Sequence, residues 1–371
     1  MNLTRKIAWL GLVFMLAACQ NFPIPVPLPI PSAAPTNTQG PPPTNTPPPP
    51  PTLPPTMEPV VRIDTGDQAL FYGDFDLARE QYLAAFNDTT DDAIKAAALW
   101  GIGRTELVDG RYQEALNSLN NLVTSYPAST YSARAPFLMG LAYEGLEQYQ
   151  QAADAYQTYS TRVPGVLEGY IQEYRGNALF EAGNYTEAQN AYNAALSAAR
   201  LDDGLNLQIK IAEARAAFGD FAGALTLYDQ ITAASTNDYI KAQMDYYAGN
   251  AHTELGQIEE AQTRYLHAVE NYPLSYYSYL SLVALVEAGV EVDDLARGLV
   301  DYHADQYDVA LVALDRYIEV NPINDGTPHY YRALTLRDLQ RTQEAIDELN
   351  YFITTTPDHP RAVEAWEEKG F

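Results

Sequence analysis

The stretch Phe137-Leu-Met-Gly-Leu-Ala-Tyr-Glu-Gly-Leu-Glu-Gln-Tyr-Gln-Gln-Ala-Ala-Asp-Ala-Tyr156 decides how this chain folds. Apolar residues recur at helical spacing on both sides of the short Gly145–Gln150 segment, which predicts two helices joined by a tight turn. Gly140 and Ala152 stand twelve positions apart and are expected to face each other where those helices cross. Small side chains at a crossing let the axes approach to the lower end of the usual range of about 8–10 Å. Tyr156 lies one helical turn beyond the alanine on the same face, where it is expected to fill the groove against the next repeat.

The same pairing occurs eight times: Gly66/Ala78, Gly103/Ala115, Gly140/Ala152, Gly176/Ala188, Ala212/Ala224, Gly249/Ala261, Gly298/Ala310 and Ala333/Ala345. The second members are spaced 37, 37, 36, 36, 37, 49 and 35 residues apart. A fixed period in this range marks a solenoid of stacked supersecondary units. Four residues past each alanine stands a large side chain: Tyr82, Leu119, Tyr156, Tyr192, Tyr228, Tyr265, Leu314 and Leu349. Pro127, Pro164, Pro273, Pro322 and Pro357 are placed to stop the second helix in five of the units.

These features resemble the tetratricopeptide repeat, from about Ile63 to Pro357. The resemblance implies an all-α, right-handed solenoid of about eight helical hairpins. Most units here are slightly longer than the family's 34 residues, which implies longer turns between them. The long gap between Ala261 and Ala310 holds Ser275-Tyr-Tyr-Ser-Tyr-Leu-Ser-Leu-Val-Ala-Leu-Val-Glu-Ala-Gly289, which reads as one extra helix with Gly289 just past its end. It is apolar nearly all round, which predicts burial between repeats and a local change of superhelical pitch. Tyr272-Pro-Leu-Ser-Tyr-Tyr277, which opens it, resembles the noncatalytic α-superhelix of soluble lytic murein transglycosylases. Paired tyrosines also occur without that context at Tyr246-Tyr247 and Tyr330-Tyr331.

The front of the chain reads as an address and a tether. Arg5 and Lys6 precede the apolar run Ile7–Ala18, a secretory signal too short to span a membrane as a mature helix. Leu16-Ala17-Ala18-Cys19 resembles the lipobox of bacterial lipoproteins, which implies lipidation at Cys19 and an extracytoplasmic, membrane-anchored location in the cell envelope. Cys19 is the single cysteine, so no intramolecular disulfide can form; an ordinary signal peptide with an incidental cysteine is the plainer alternative. Buried acyl chains contribute about 0.8 kcal/mol per methylene, so two or three chains on one cysteine anchor a protein durably. Between Gln20 and Pro59 lie 17 of the 25 prolines, a composition that forms no packed core and favours polyproline II. At about 3.1 Å per residue such a spacer reaches roughly 120 Å fully stretched. The domain plan is thus a signal peptide at 1–18, lipidated cysteine and proline-rich linker at 19–59, and a superhelical domain at 60–371.

The formal net charge is −26, and −28 without the leader's Arg5 and Lys6. That balance opposes nucleic acid and anionic polymers. The 28 tyrosines suggest a sugar-stacking surface at first sight, but most fall at the repeat's packing positions. His252, His267, His303, His329 and His359 are scattered without metal-ligand spacing. Asp293-Asp294 and Glu259-Glu260 fall early in helices, where negative charge suits the dipole. No phosphate-cradling loop, nucleophile elbow or calcium loop is present, nor the Glu-Ser pair and Gly-Leu-Met-Gln stretch of lytic transglycosylases. The reading is therefore not of an enzyme, and no cofactor or metal is implied.

By the tetratricopeptide resemblance, first-helix positions three before, one after and four after the small residue line a concave groove. They are Trp100, Arg104 and Leu107; Phe137, Leu141 and Glu144; Glu173, Asn177 and Phe180; Ile209, Glu213 and Ala216; Tyr246, Asn250 and Thr253. Asn177 and Asn250 occupy a slot that relatives use to grip a peptide carboxylate, although the partnering lysine is replaced by Glu173 and Tyr246. The best-supported binding set is Trp100, Arg104, Phe137, Asn177, Phe180, Tyr246 and Asn250, a mixed aromatic and polar groove suited to a protein or peptide ligand. Packing residues mistaken for groove residues are the competing account. The function expected is a lipid-anchored scaffold with possible cell-wall association; the alternative is the noncatalytic portion of a peptidoglycan lytic transglycosylase. Pro360-Arg-Ala-Val-Glu-Ala-Trp-Glu-Glu-Lys-Gly-Phe371 fits either a capping helix or the start of another repeat.

Overall fold

The computed structural model describes residues 57–370 apart from 166, 200 and 203. The signal peptide, Cys19 and the proline-rich linker lie outside the described residues. Those described form eighteen α-helices and no strand. Eight hairpins pair α1 (Pro59–Phe71) with α2 (Phe75–Asn87), α3 (Asp92–Val108) with α4 (Tyr112–Ser125), and α5 (Thr130–Gly145) with α6 (Tyr149–Arg162). They continue with α7 (Glu168–Glu181) and α8 (Tyr185–Ser197), α9 (Leu205–Phe218) and α10 (Phe221–Ala234), and α11 (Asp238–Glu254) and α12 (Ile258–Asn271). A lone helix, α13 (Tyr276–Glu287), interrupts the series before α14 (Asp294–His303) with α15 (Tyr307–Val320), α16 (Thr327–Asp338) with α17 (Thr342–Thr355), and the terminal α18 (Ala362–Lys369). Each helix packs on the next along the chain, the nearest-neighbour construction of a solenoid.

The eight small residues each sit on the first helix of a hairpin, and the eight alanines on the second. The notch at the glycine is filled by the residue four past the alanine, rather than by the alanine itself. A Cβ built on Gly66 would lie 2.7 Å from the Tyr82 ring, and one on Gly103 would lie 2.8 Å from Leu119. Tyr82 also abuts Gly101 of the following repeat, so it is wedged between two first helices. All eight of these large residues are buried.

The hairpin turns share one device. Seven residues past the small residue the backbone enters the left-handed region in every hairpin: Gly73, Gly110, Glu147, Gly183, Gly219, Gly256, Asp305 and Gln340 have φ between 59° and 91°. Glycine adopts this conformation without strain, whereas a residue with a Cβ does not. The turn around Glu147 is accordingly only Leu146–Gln148, with Gly145 still helical.

The five stop prolines each stand two residues past the last helical residue. The residues before them (Tyr126, Val163, Tyr272, Asn321 and Thr356) share φ near −130° and ψ of 52–70°, pushed out of the helical region by the proline ring. Pro136, by contrast, lies inside α5. Lacking an N–H, it leaves the Ser132 carbonyl without its helical partner, and Arg162 Nη1 donates to that carbonyl at 3.3 Å.

The extra helix, α13, begins as an ordinary first helix does. Ser275 caps the Tyr277 N–H, and Ser278 Oγ donates to the carbonyls of Tyr272 (2.7 Å) and Ala268 (2.9 Å). The α4–α5 junction has the same bonds, with Ser129 capping Tyr131 and Ser132 Oγ donating to Tyr126 (2.6 Å) and Leu122 (3.1 Å). Tyr272-Pro-Leu-Ser-Tyr-Tyr277 thus has the form of an inter-repeat junction used elsewhere in this chain. Having α11 and α12 on one side buries Ser278, Ser281, Leu282 and Leu285, while Tyr276 and Val286 remain exposed. Leu282 and Leu285 share a core cluster with Tyr265 of α12 and Val300 of α14, so the helix lies between repeats as expected, with Tyr276 and Val286 at its open side.

Candidate functional site

First helices contribute a ladder of partly exposed side chains, one rung per repeat. Of the groove residues expected from sequence, Leu107, Leu141 and Ile209 are buried and belong to the core. Trp100, Arg104, Phe137, Asn177, Phe180 and Tyr246 are half-buried, and Asn250 is exposed. Phe137 serves packing more than display: its ring lies 5.5–5.8 Å from those of Tyr156, Tyr159 and Tyr174. Phe180 meets Tyr185 edge-on at 5.3 Å.

The rung one position past the small residue is tied to the buried tyrosine behind it. Tyr82 donates to Asp67 at 2.7 Å, Tyr192 to Asn177 at 3.1 Å, and Tyr265 to Asn250 at 2.7 Å. Where leucine replaces tyrosine (Leu119, Leu314, Leu349), the rung is Arg104, Leu299 or Leu334, none of which is an acceptor. A buried phenol needs an acceptor at its tip, and in these three repeats the first helix supplies one. Tyr156 faces Leu141 at that position, and its hydroxyl is held up in pKa by burial and by Glu144. In Asn177 and Asn250 the tyrosine occupies Oδ1, so the amide nitrogen is what each offers a ligand.

Other contacts cross from one repeat to the next. Arg104 donates to Asp67 at 3.2 Å and Lys210 to Glu173 at 2.7 Å, each 37 residues apart. Trp100 stacks on Tyr131 at 5.7 Å, and Tyr246 on Tyr277 at 5.9 Å. Gln243, Tyr247 and Tyr277 are joined by bonds of 3.0–3.4 Å, beside Glu213, whose carboxyl is pushed up by burial. The structure therefore gathers Tyr246 and Asn250 into one tyrosine-rich section with Tyr265 and Tyr277, whereas Trp100 and Arg104 form a separate section. Asp67, Tyr131, Lys210 and Tyr277 were not expected from sequence; the spacing of one repeat between opposite charges was the available signal for the ion pairs.

The histidines serve local structure. His267 Nδ1 bonds the buried Asp245 at 2.7 Å, alongside Arg264, and His329 Nδ1 bonds Glu348 at 2.6 Å. Asp293 caps α14 through the N–H groups of Leu295 and Ala296, both at 3.0 Å. Near the C-terminus, Ala365 of α18 is buried while Val363 and Trp366 are exposed. Among the described residues, open grooves off the ladder include one of about 310 Å³ at the start of α14 and the end of α15, and one of about 370 Å³ among α2, α3 and α4.

Models of the tetratricopeptide repeat match residues 63–130, 137–202 and 174–239, and a second such model matches 244–275. No curated protein matches the chain significantly. Among solved structures, a tetratricopeptide repeat protein from Parabacteroides merdae is 15% identical, covering 75% of this chain and 98% of its own, with a TM-score of 0.44. The C-terminal part of a repeat protein from Cytophaga hutchinsonii is 17% identical, covering 72% and 98%, with a TM-score of 0.39. PilF of Pseudomonas aeruginosa is 14% identical, covering 61% and 97%, with a TM-score of 0.40.

Proposed function

This chain belongs to the tetratricopeptide repeat family, and from that premise we propose that it is a lipid-anchored scaffold of the bacterial cell envelope. Its first-helix ladder holds an extended peptide or a partner helix. The observation that carries this reading is the tyrosine-rich section at α11 and α13. There Tyr246 and Asn250 stand accessible on a rigid backing, and Asn250 keeps its amide nitrogen for a ligand. Planar aromatics lose little entropy on binding, and carboxamides read peptide groups. Cys19, after the run Ile7–Ala18, supplies the anchor, and the proline-rich segment to Pro59 sets the binding domain away from the bilayer.

The test has two arms. Cys19→Ser is expected to abolish incorporation of a labelled fatty acid and release the protein from membranes; unchanged membrane retention would remove the anchoring claim. A photocrosslinking side chain at Asn250 is expected to give one discrete adduct in intact cells, and the same group at Gln113 on the opposite helix layer is expected to give none. Equal yields from both positions would sink the groove reading. The junction at Tyr272–Tyr277 has the same cap bond as that at Tyr126–Tyr131 and so fits ordinary repeat construction.

A further inference from the structure

Between helices of the second layer lies an open groove of mixed polar and apolar lining that the peptide ladder does not use. It is bounded by α2 and α4, with α3 as its floor, and has a volume of about 370 Å³, within the range of small-molecule sites of about 300–1,000 Å³. Its floor holds Glu106, a carboxyl only 7% exposed. One carboxyl oxygen accepts from Ser118 Oγ at 2.7 Å, and the other has no hydrogen-bond partner among the described residues. Burial raises the pKa of this group against the opposing effects of Ser118, Arg111 and Arg79.

The walls are rich in donors. Asn117 and Asn121 use their amide oxygens on Gln113 (3.4 Å) and Ser125 (2.8 Å), which leaves both amide nitrogens unpaired among the described residues. Arg79 spends Nη1 on Asp76 and Nη2 on Asp109, both at 2.8 Å, and its buried Nε has no partner. Beside these groups lie the half-buried ring of Phe86 and the exposed side chain of Leu83.

This pattern discriminates among ligand classes. An anion meets Glu106 and a chain of formal charge −26. An ammonium group has no acceptor to offer the unpaired amide nitrogens, and an apolar ligand would strand the carboxyl. A hydroxyl both donates and accepts, so neighbouring hydroxyls can serve carboxyl and carboxamide together. Their carbon skeleton supplies an apolar face for Phe86 and Leu83. We propose that the groove between α2 and α4 is a binding site for a neutral saccharide of one or two sugar units.

The register of Glu106 sets this groove apart. Three residues past the small residue, the other hairpins carry Ala69, Tyr143, Leu179, Arg215, His252, Asp301 and Leu336. Asp301 is the one other acid, and Arg297 on its own helix lies 3.5 Å from it. The second hairpin alone combines an acid at that position with carboxamides at Asn117 and Asn121 across the groove.

Titration of the full protein with N,N′-diacetylchitobiose, cellobiose and maltose, followed by calorimetry and by amide NMR shifts, tests the assignment. At least one saccharide is expected to bind, with shifts concentrated at Phe86, Glu106, Asn117 and Asn121. Asn117→Ala with Asn121→Ala, both at exposed positions, is expected to weaken binding at least about tenfold while leaving the helical CD signal unchanged. Glu106→Gln is expected to weaken it also. Absence of saccharide binding at tens of millimolar, or binding indifferent to the double variant, would overturn the proposal. So would saturation of the groove by butylammonium or by an N-acetylated tripeptide amide in place of the sugars.

Discussion

Tyr265 fills the notch above Gly249 and donates its hydroxyl to Asn250, the very next residue, at 2.7 Å. One side chain therefore closes the helix crossing and ends at the display face, so packing and presentation are coupled within a single repeat. Replacing Tyr265 by Phe keeps the ring and removes the bond. The expected cost is about 0.5–1.5 kcal/mol. Because repeat arrays do not unfold as one unit, it is best read from hydrogen-exchange protection in α11 and α12, with distant hairpins unchanged.

The glycine notches leave no room for a methyl group. Gly103→Ala would place a Cβ about where Leu119 now packs, and overpacking of this kind costs about 1–3 kcal/mol. Combining it with Leu119→Ala is expected to recover part of the loss, which a double-mutant cycle reads directly. Strict additivity of the two variants would disprove the contact.

The shared left-handed turn gives a matched pair of variants. Gln340 adopts φ 61° and Gly110 φ 76°. Gln340→Gly is expected to stabilise the last hairpin by roughly 0.5–1 kcal/mol, because the strain relieved exceeds the entropy added to the unfolded chain. Gly110→Ala is expected to destabilise by a similar amount. Thermal melts of the two variants should move in opposite directions.

Arg162 compensates for Pro136. Arg162→Met removes the donor to the Ser132 carbonyl, at an expected cost of about 1–3 kcal/mol for an orphaned acceptor. Pro136→Ala restores a helical N–H to that carbonyl. In its background Arg162→Met is expected to cost clearly less, and an unchanged cost would refute the capping role.

His303 makes the last hairpins sensitive to acid. Burial first, and the charge of Arg361 second, hold its imidazole below the ordinary value of 6.5, and its Nε2 is buried without a partner among the described residues. The unfolded chain therefore binds the proton more tightly. Stability from this group is complete above about pH 6.5 and declines as pH falls toward the folded value, with a slope of at most about 1.4 kcal/mol per pH unit. His303→Gln is expected to remove that slope in urea titrations at pH 7 and pH 5, and an identical slope in both proteins would exclude His303 as its source.

Much of the fold was legible because each repeat solves the same packing problem with its own residues and its immediate neighbours. Gly140, Ala152 and Tyr156 are close in sequence, so their spacing carries the helix crossing directly. The stop prolines act on the residue before them and were equally plain. The display face was less legible. Leu141 and Asn177 stand at equivalent helical positions on adjacent rungs, yet one is buried in the core and the other keeps an amide free.

The sequence by itself determined the number of hairpins, the residues that close each crossing and the place where the period breaks, since all of these depend on contacts within one or two repeats. Tertiary structure alone decided which residues of α13 stay open to solvent. It also decided that Glu106 meets Asn117 and Asn121 across a groove. Those outcomes depend on how consecutive hairpins rotate against one another, a sum of small packing adjustments over many side chains that no single spacing records.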